Sequence, residues 1–225
     1  MTAVLPAMVF AAGLGTRMRP LTDDRPKAMV MLAGRPLIDH ALDQVAGAAP
    51  VVVNAHHHAP VLLDHLGRRD VIAIHESPDL LETGGGLRNA LPHLGGGPVM
   101  TLNADAAWTG PRAIDTLRAA WREDMEGLLL LVPRDRALGP AGGSFALQAD
   151  GRVTRDADGL IYTGAGIVRT GGLDAIGARA FSLRELWWPM LDRGGLYGVV
   201  HPGHWADVGT PDGIAPAEAM LAGAA

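Results

Sequence analysis

The chain contains no cysteine. That excludes a disulfide framework, thiolate catalysis and any zinc site built on sulfur, and it is compatible with the cytoplasmic setting expected here. There is no run of Lys or Arg, and the formal net charge is −5, so no nucleic-acid surface is expected. No apolar stretch approaches the ~20 residues that span a bilayer. Residues 1–10 lack a basic segment ahead of an apolar one and are interrupted by Pro6, so they are not read as a signal peptide, and no membrane partner is expected. Aromatic residues make up only 4% of the chain, against 48% hydrophobic residues overall and 30 glycines in 225 positions. That balance suits an α/β protein with many short connections, and the length suits a single domain over residues 1–225.

Two familiar phosphate loops are also missing. Nothing supplies Gly-x-x-x-x-Gly-Lys-Ser/Thr, and the third glycine of a dinucleotide fingerprint would fall on Met18. What is present instead is Phe10-Ala11-Ala12-Gly13-Leu14-Gly15-Thr16-Arg17-Met18-Arg19-Pro20-Leu21-Thr22, continuing to Pro26-Lys27. The apolar run 7–12 reads as a buried strand. Gly13 and Gly15 then permit a tight turn and a close approach of backbone N–H groups to a ligand. Two cations follow, Arg17 and Lys27. A strand, a glycine loop and fixed cations in that order can hold a polyphosphate.

Further along, residues 28–32, 51–54, 71–75, 98–102 and 127–132 read as strands, with helices at 37–45, around 61–66 and at 111–121. Asp150-Gly151 marks a hairpin between 144–148 and 152–154. The strand 161–170 is broken by Gly164 and Gly166, which suggests a bulge or a close ligand approach. Ser182-Leu183-Arg184-Glu185 has the form of a capping box opening a helix. Trp187 and Trp188 are expected in the core or at a subunit contact, so the chain is expected to be a monomer or a homodimer. Residues 196–201 and 204–208 look like a second hairpin around Pro202-Gly203.

Three local features carry chemistry. Gly84, Gly85 and Gly86 open a helix on bare backbone, which suits either a flexible loop or contact with a flat base read through backbone groups. His56, His57 and His58 follow a strand, where alternating faces prevent them from ligating one ion together, so they are read as a loop-to-helix entry near a ligand. Asp105 follows the strand 98–102, at the end where ligands gather in parallel sheets; a solvated helix cap is the plainer alternative. Asp207 falls within a strand between Trp205 and Val208, where an unpartnered carboxylate is costly to bury. The two acids could share one hard cation, Mg²⁺, with phosphates and waters completing its shell.

The long loop, with Pro26-Lys27, resembles the signature of the sugar-1-phosphate nucleotidyltransferases. Glu82-Thr83-Gly84-Gly85, Asn103-x-Asp105, residues 164–167 and Gly203-His204-Trp205-x-Asp207-Val208-Gly209-Thr210 resemble later family segments in the same order. The resemblance implies a Rossmann-like mixed, mostly parallel sheet flanked by helices, with a small sugar-binding subregion in the second half. It implies nucleotide contacts at Ala12, Gly13, Leu14, Gly15, Thr16, Arg17, Lys27, Asn54, Thr83, Gly84 and Gly85, with Arg17 and Lys27 catalytic. Sugar contacts are implied at Glu82, Asn103, Gly143, Thr163, Gly164, Ala165 and Gly166, and metal ligands at Asp105 and Asp207.

The partners so implied are a nucleoside triphosphate and a sugar 1-phosphate, with UTP and N-acetylmuramic acid 1-phosphate expected within the family. A different nucleotide and sugar, or a non-catalytic sensor on the same fold, are the alternatives. Joint retention of Arg17, Lys27, Asp105 and Asp207 weighs against a sensor. The chain departs from the family at Ala104, where Gly is common, and it lacks the Glu-Lys-Pro element of the sugar-binding half.

Overall fold

Continuous aliphatic runs place the parallel strands at the centre of the molecule. A computed structural model describes residues 4–139 and 143–223. In chain order, β1 (Ala7–Phe10) leads through the glycine loop to two short paired strands, β2 (Met31–Leu32) and β3 (Arg35–Pro36). Then come α1 (Leu37–Gln44), β4 (Val51–Ala55), α2 (Ala59–Leu66), β5 (Ile72–His75), α3 (Glu82–Leu94) and β6 (Pro98–Asn103). The second half runs β7 (Ala106–Trp108), α4 (Ala113–Ala120), β8 (Gly127–Val132), β9 (Ala137–Leu138), β10 (Ser144–Leu147), β11 (Val153–Arg155), β12 (Leu160–Arg169), α5 (Arg184–Asp192), β13 (Leu196–Val200), β14 (Trp205–Asp207) and α6 (Ile214–Leu221).

Strands β6, β1, β4 and β5 pair in parallel in that spatial order. Phe10 stands opposite both Asn54 and Asn103, so three strands end together at one edge, and the glycine loop and Asp105 leave from it. Antiparallel β12 joins β6 to β8 and to the β10–β11 hairpin, and β13 lies parallel to β8. The β12 ladder shifts register between Tyr162 and Gly166. Gly164 sits there at φ 82°, and a Cβ would lie 2.9 Å from the Asn103 side chain, so this bulge requires glycine.

Helices α1, α2 and α4 cover one face of the sheet and α3 and α5 the other, each over its own apolar cluster. A third cluster under α6 contains Met18, Leu32, Leu37 and Val208, and it anchors the signature loop from below. The fold is the mixed, mainly parallel α/β arrangement that the motifs implied. No helix among the described residues is long and apolar enough to cross a membrane.

Local expectations needed correcting at three places. Residues 196–208 do not form a hairpin: β13 pairs with β8, whereas β14 leaves the main sheet and pairs with β7 and β9. The ladder stops where the His201 N–H donates to Leu131 O, and Pro202 brings no N–H to extend it. Residues 27–29 form a 3₁₀ turn, and only Met31–Leu32 is strand. The capping box does not form either: Leu183 is the N-cap, with no side-chain cap bond, and Ser182 Oγ accepts from the Arg184 N–H at 3.3 Å.

Candidate active site

The site is built on the end of β1. The Ala11 N–H donates to Asn54 Oδ1 at 2.8 Å, Asn54 Nδ2 donates to Glu76 Oε1 at 2.7 Å, and Glu76 Oε2 accepts from the Leu81 N–H. Asn54 is 3% exposed, so its amide ties the start of the loop to the segment before α3. Gly15 adopts φ 64°, and Thr22 Oγ1 donates to its carbonyl at 2.8 Å. Below it Met18 is fully buried. The loop is therefore held at Gly15, Met18 and Thr22, while Gly13 has open space where a Cβ would stand and Leu14 is exposed.

The carboxylates meet through the sheets. Asp207 pairs with Ala106 across β14 and β7, and the Val208 N–H donates to Asp105 O at 2.8 Å. Lys27 Nζ lies 2.6 Å from Asp105 Oδ2, with side-chain exposures of 12% and 33%. Burial pushes the Asp207 carboxyl above the usual carboxylate range, and the Asp105 charge adds to this. Lys27, Arg17 and the Gly209 N–H act in the opposite sense. A half-buried carboxylate facing a second one fits a bound cation. Among the described residues no group of three or more His, Asp or Glu could enclose a metal. A cation here would take the two carboxylates and complete its shell from substrate and water, a donor set that suits Mg²⁺.

Two cavities open at this edge. The smaller, about 170 Å³, is lined by Ala12, Gly13, Asn54 and Glu82 together with Phe10, Thr83, Asn103 and Asp105. The larger, about 590 Å³, shares those last four residues and adds Arg17, Gly143, Thr163, Gly164 and Asp207. The sequence-selected residues thus fall into a glycine-loop side and a second-half side, joined at Asp105 and Asn103. Glu82 opens on the glycine-loop side, apart from Gly143, Thr163 and Gly164 on the second-half side.

Several expected site residues do other work. A Cβ on Gly84 would lie 2.4 Å from the Phe181 ring, and one on Gly85 would lie 2.5 Å from Arg179 O. Both N–H groups donate to Phe181 O. Their bare backbone serves packing against residues 179–181 and is not presented to a base. Ala165 and Gly166 are buried in the ladder opposite Leu102 and Thr101 and line neither cavity. Leu14, Gly15, Thr16 and Lys27 also line neither cavity. Thr163 Oγ1 donates to Leu130 O at 2.7 Å. His56 Nδ1 bonds Glu76 O, the His57 and His58 rings contact each other, and none of the three lines either of these two cavities.

The family model of the MobA-like NTP transferase domain matches residues 7–179. The chain belongs to this family. It is 42% identical over 234 aligned residues to the N-acetylmuramate alpha-1-phosphate uridylyltransferase of Caulobacter vibrioides, covering 96% of each protein. It is 33% identical to the protein of the same name from Neisseria meningitidis serogroup B, over 98% of this chain and 99% of that one. Among solved structures, the inositol-1-phosphate CTP transferase of T. maritima shares the fold, with a TM-score of 0.78 at 17% identity over 98% of this chain and 97% of that one. The chain is thus a nucleotidyltransferase of the sugar-1-phosphate nucleotidyltransferase family.

The larger cavity of this nucleotidyltransferase has a wall that sequence reasoning missed. The Arg155 guanidinium lies 3.8 Å over the Trp188 ring, and Tyr162 meets Trp187 edge-on at 4.9 Å. Arg184 opens α5 beside them. Trp187 and Trp205 are buried in the lining, and among the described residues their Nε1–H groups have no partner, which is costly for a buried donor. The available signals were a Trp pair in an aromatic-poor chain and an Arg at a helix start, where the dipole favours acids.

Proposed function

We propose that this nucleotidyltransferase transfers uridylyl from UTP to N-acetylmuramic acid 1-phosphate, releasing pyrophosphate, in cytoplasmic recycling of cell-wall sugars. One domain over residues 1–225, acting as a monomer or homodimer, suffices for this. The observation that carries the reading is the meeting of the two cavities at Asp105, with Asp207 and Arg17 beside it. Full-length similarity to two proteins named for this activity supports the choice of substrates.

The sugar phosphate oxygen is already ionised at neutral pH, so attack on the α-phosphorus requires no general base. Catalysis then rests on alignment and on charge. The smaller cavity, on the glycine loop, would take the nucleotide. The larger would hold the sugar with its phosphate near Asp105. Arg17 would receive the leaving pyrophosphate, because its planar fork binds phosphate oxygens bidentately. Lys27 orients the Asp105 carboxylate through the 2.6 Å contact and adds positive potential behind it. Asp105 and Asp207 would hold Mg²⁺, which would offset the negative charge gathered on the phosphates.

The test is a pyrophosphate-release panel. It crosses UTP, dTTP, GTP, CTP and ATP with the 1-phosphates of N-acetylmuramic acid, N-acetylglucosamine, glucose and mannose, with and without Mg²⁺. Turnover with UTP and N-acetylmuramic acid 1-phosphate supports the proposal. Turnover only with another pair keeps the chemistry and replaces the substrates. Silence from folded protein that still binds UTP points to a sensor.

A further inference from the structure

The transfer chemistry uses the cations near Asp105 and does not draw on two others that line the larger cavity. Arg155 ends β11 and Arg184 begins α5, residues remote in sequence that the fold brings to one wall. The Trp188 ring beneath the Arg155 guanidinium, at 3.8 Å, supports its flat face. That stacking leaves the N–H edge of the fork to meet a planar anion. Arg184 reaches Gly143, where a Cβ would lie 3.7 Å from its Nη2.

The two cationic regions are distinct. Lys27 and Arg17 act on Asp207, whereas the Arg184 charge acts on the Tyr162 hydroxyl. Asp156 also lines the cavity, with its Oδ1 accepting from the Asp158 N–H at 3.0 Å. A neutral sugar 1-phosphate has only one anionic group, and that group belongs beside Asp105 and Asp207. A second cationic wall matches a second anion, carried on the sugar itself.

We propose that Arg155 and Arg184 determine acceptor specificity by binding a carboxylate on the sugar, so that the acceptor is an acidic sugar 1-phosphate. This rests on the function proposed above and deepens it. The carboxylate is that of the lactyl ether in N-acetylmuramic acid, which N-acetylglucosamine lacks. A uronic acid 1-phosphate offers the same group from a different carbon.

The experiment compares the full-length wild type with Arg155→Gln, Arg184→Gln and the matching Lys variants. The acceptors are the 1-phosphates of N-acetylmuramic acid, glucuronic acid and N-acetylglucosamine, and the acid that wild type uses better identifies the source of the carboxylate. Each Gln variant is expected to lower kcat/KM for that acid by about 10- to 100-fold, mostly through KM. The KM for UTP and the rate with N-acetylglucosamine 1-phosphate stay unchanged, and Lys restores only part of the loss because it keeps the charge without the fork. Both side chains are exposed, and melting temperatures measured alongside separate a folding defect from a lost substrate contact. An unchanged acid-to-neutral ratio, or an equal loss on all acceptors, overturns the assignment. If wild type prefers an acid and the variants keep that preference, only the arginine assignment fails. If wild type uses neither acid, the proposed substrate fails, and the arginine assignment with it.

Discussion

Two alanine substitutions separate a glycine that faces a ligand from one that faces the protein. At Gly85 a new Cβ would meet Arg179 O at 2.5 Å, Leu81 Cβ at 3.2 Å and the Ala180 Cα at 3.4 Å. None of these atoms is the end of a flexible side chain, so the backbone must move. Overpacking of this kind costs about 3 kcal/mol at the upper end of its usual range. Alanine returns about 1 kcal/mol of helix propensity. The net loss of about 2 kcal/mol lowers the melting temperature by roughly 4–8 °C for a chain of this length. At Gly13 a Cβ meets nothing within 4 Å, and its place is the wall of the smaller cavity. Gly13→Ala is therefore expected to leave the melting temperature within about 2 °C of wild type, since the change relieves backbone entropy without a clash. It is expected to raise the KM for UTP several-fold. Scanning fluorimetry and initial rates at varied UTP measure both quantities. If Gly85→Ala melts like wild type and loses UTP affinity, while Gly13→Ala keeps it, the division of labour argued here is refuted.

Other consequences are equally open to measurement. Trp187→Phe removes an N–H that has no partner among the described residues. Its stability should be preserved, while the KM for the sugar phosphate rises by about 2- to 10-fold, the equivalent of one neutral hydrogen bond; an unchanged KM speaks against the cavity role of that group. Lys27→Met leaves Asp105 and Asp207 facing each other without their shared cation. At saturating substrates kcat should fall by about 100-fold, and a wild-type kcat in pyrophosphate release contradicts the role given to Lys27. His201 is buried, its Nε2–H donates to Thr109 O at 2.8 Å, its Nδ1 has no partner among the described residues, and burial holds its pKa below the usual value. The unfolded chain takes up this proton at about pH 6.5, whereas the folded one resists until lower pH. Stability therefore falls as pH drops below about 6.5 and levels off beneath the folded pKa. Between pH 7.5 and 5.5 the urea midpoint of wild type should drop further than that of His201→Gln, and equal drops count against the assignment.

The strands were legible where a run of aliphatic residues left one possible environment, as at Gly127–Val132, buried at every position. The signature loop was legible for a similar reason, as a local pattern at a strand end, whereas the approach of Asp207 to Asp105 depends on the pairing of β14 with β7. Partner choice was not legible. Pro202-Gly203 announces a turn, but nothing local tells β14 to leave the main sheet and pair with β7 and β9. Gly84 and Gly85 announce that no side chain fits, yet the neighbour that forbids it, the 179–181 segment, comes roughly a hundred residues later. The Arg155 and Arg184 wall was hidden in the same way, because it exists only after β11 and α5 are brought to one cavity.

The central claim is transfer at the α-phosphorus, and position-labelled UTP tests it most directly. With N-acetylmuramic acid 1-phosphate and Mg²⁺, label at the α-phosphorus is expected in the nucleotide sugar, and label at the γ-phosphorus in free pyrophosphate. Asp207→Asn should stop both while leaving the fold intact. Gamma label on the sugar, or neither label moving from folded protein under these conditions, would contradict the account.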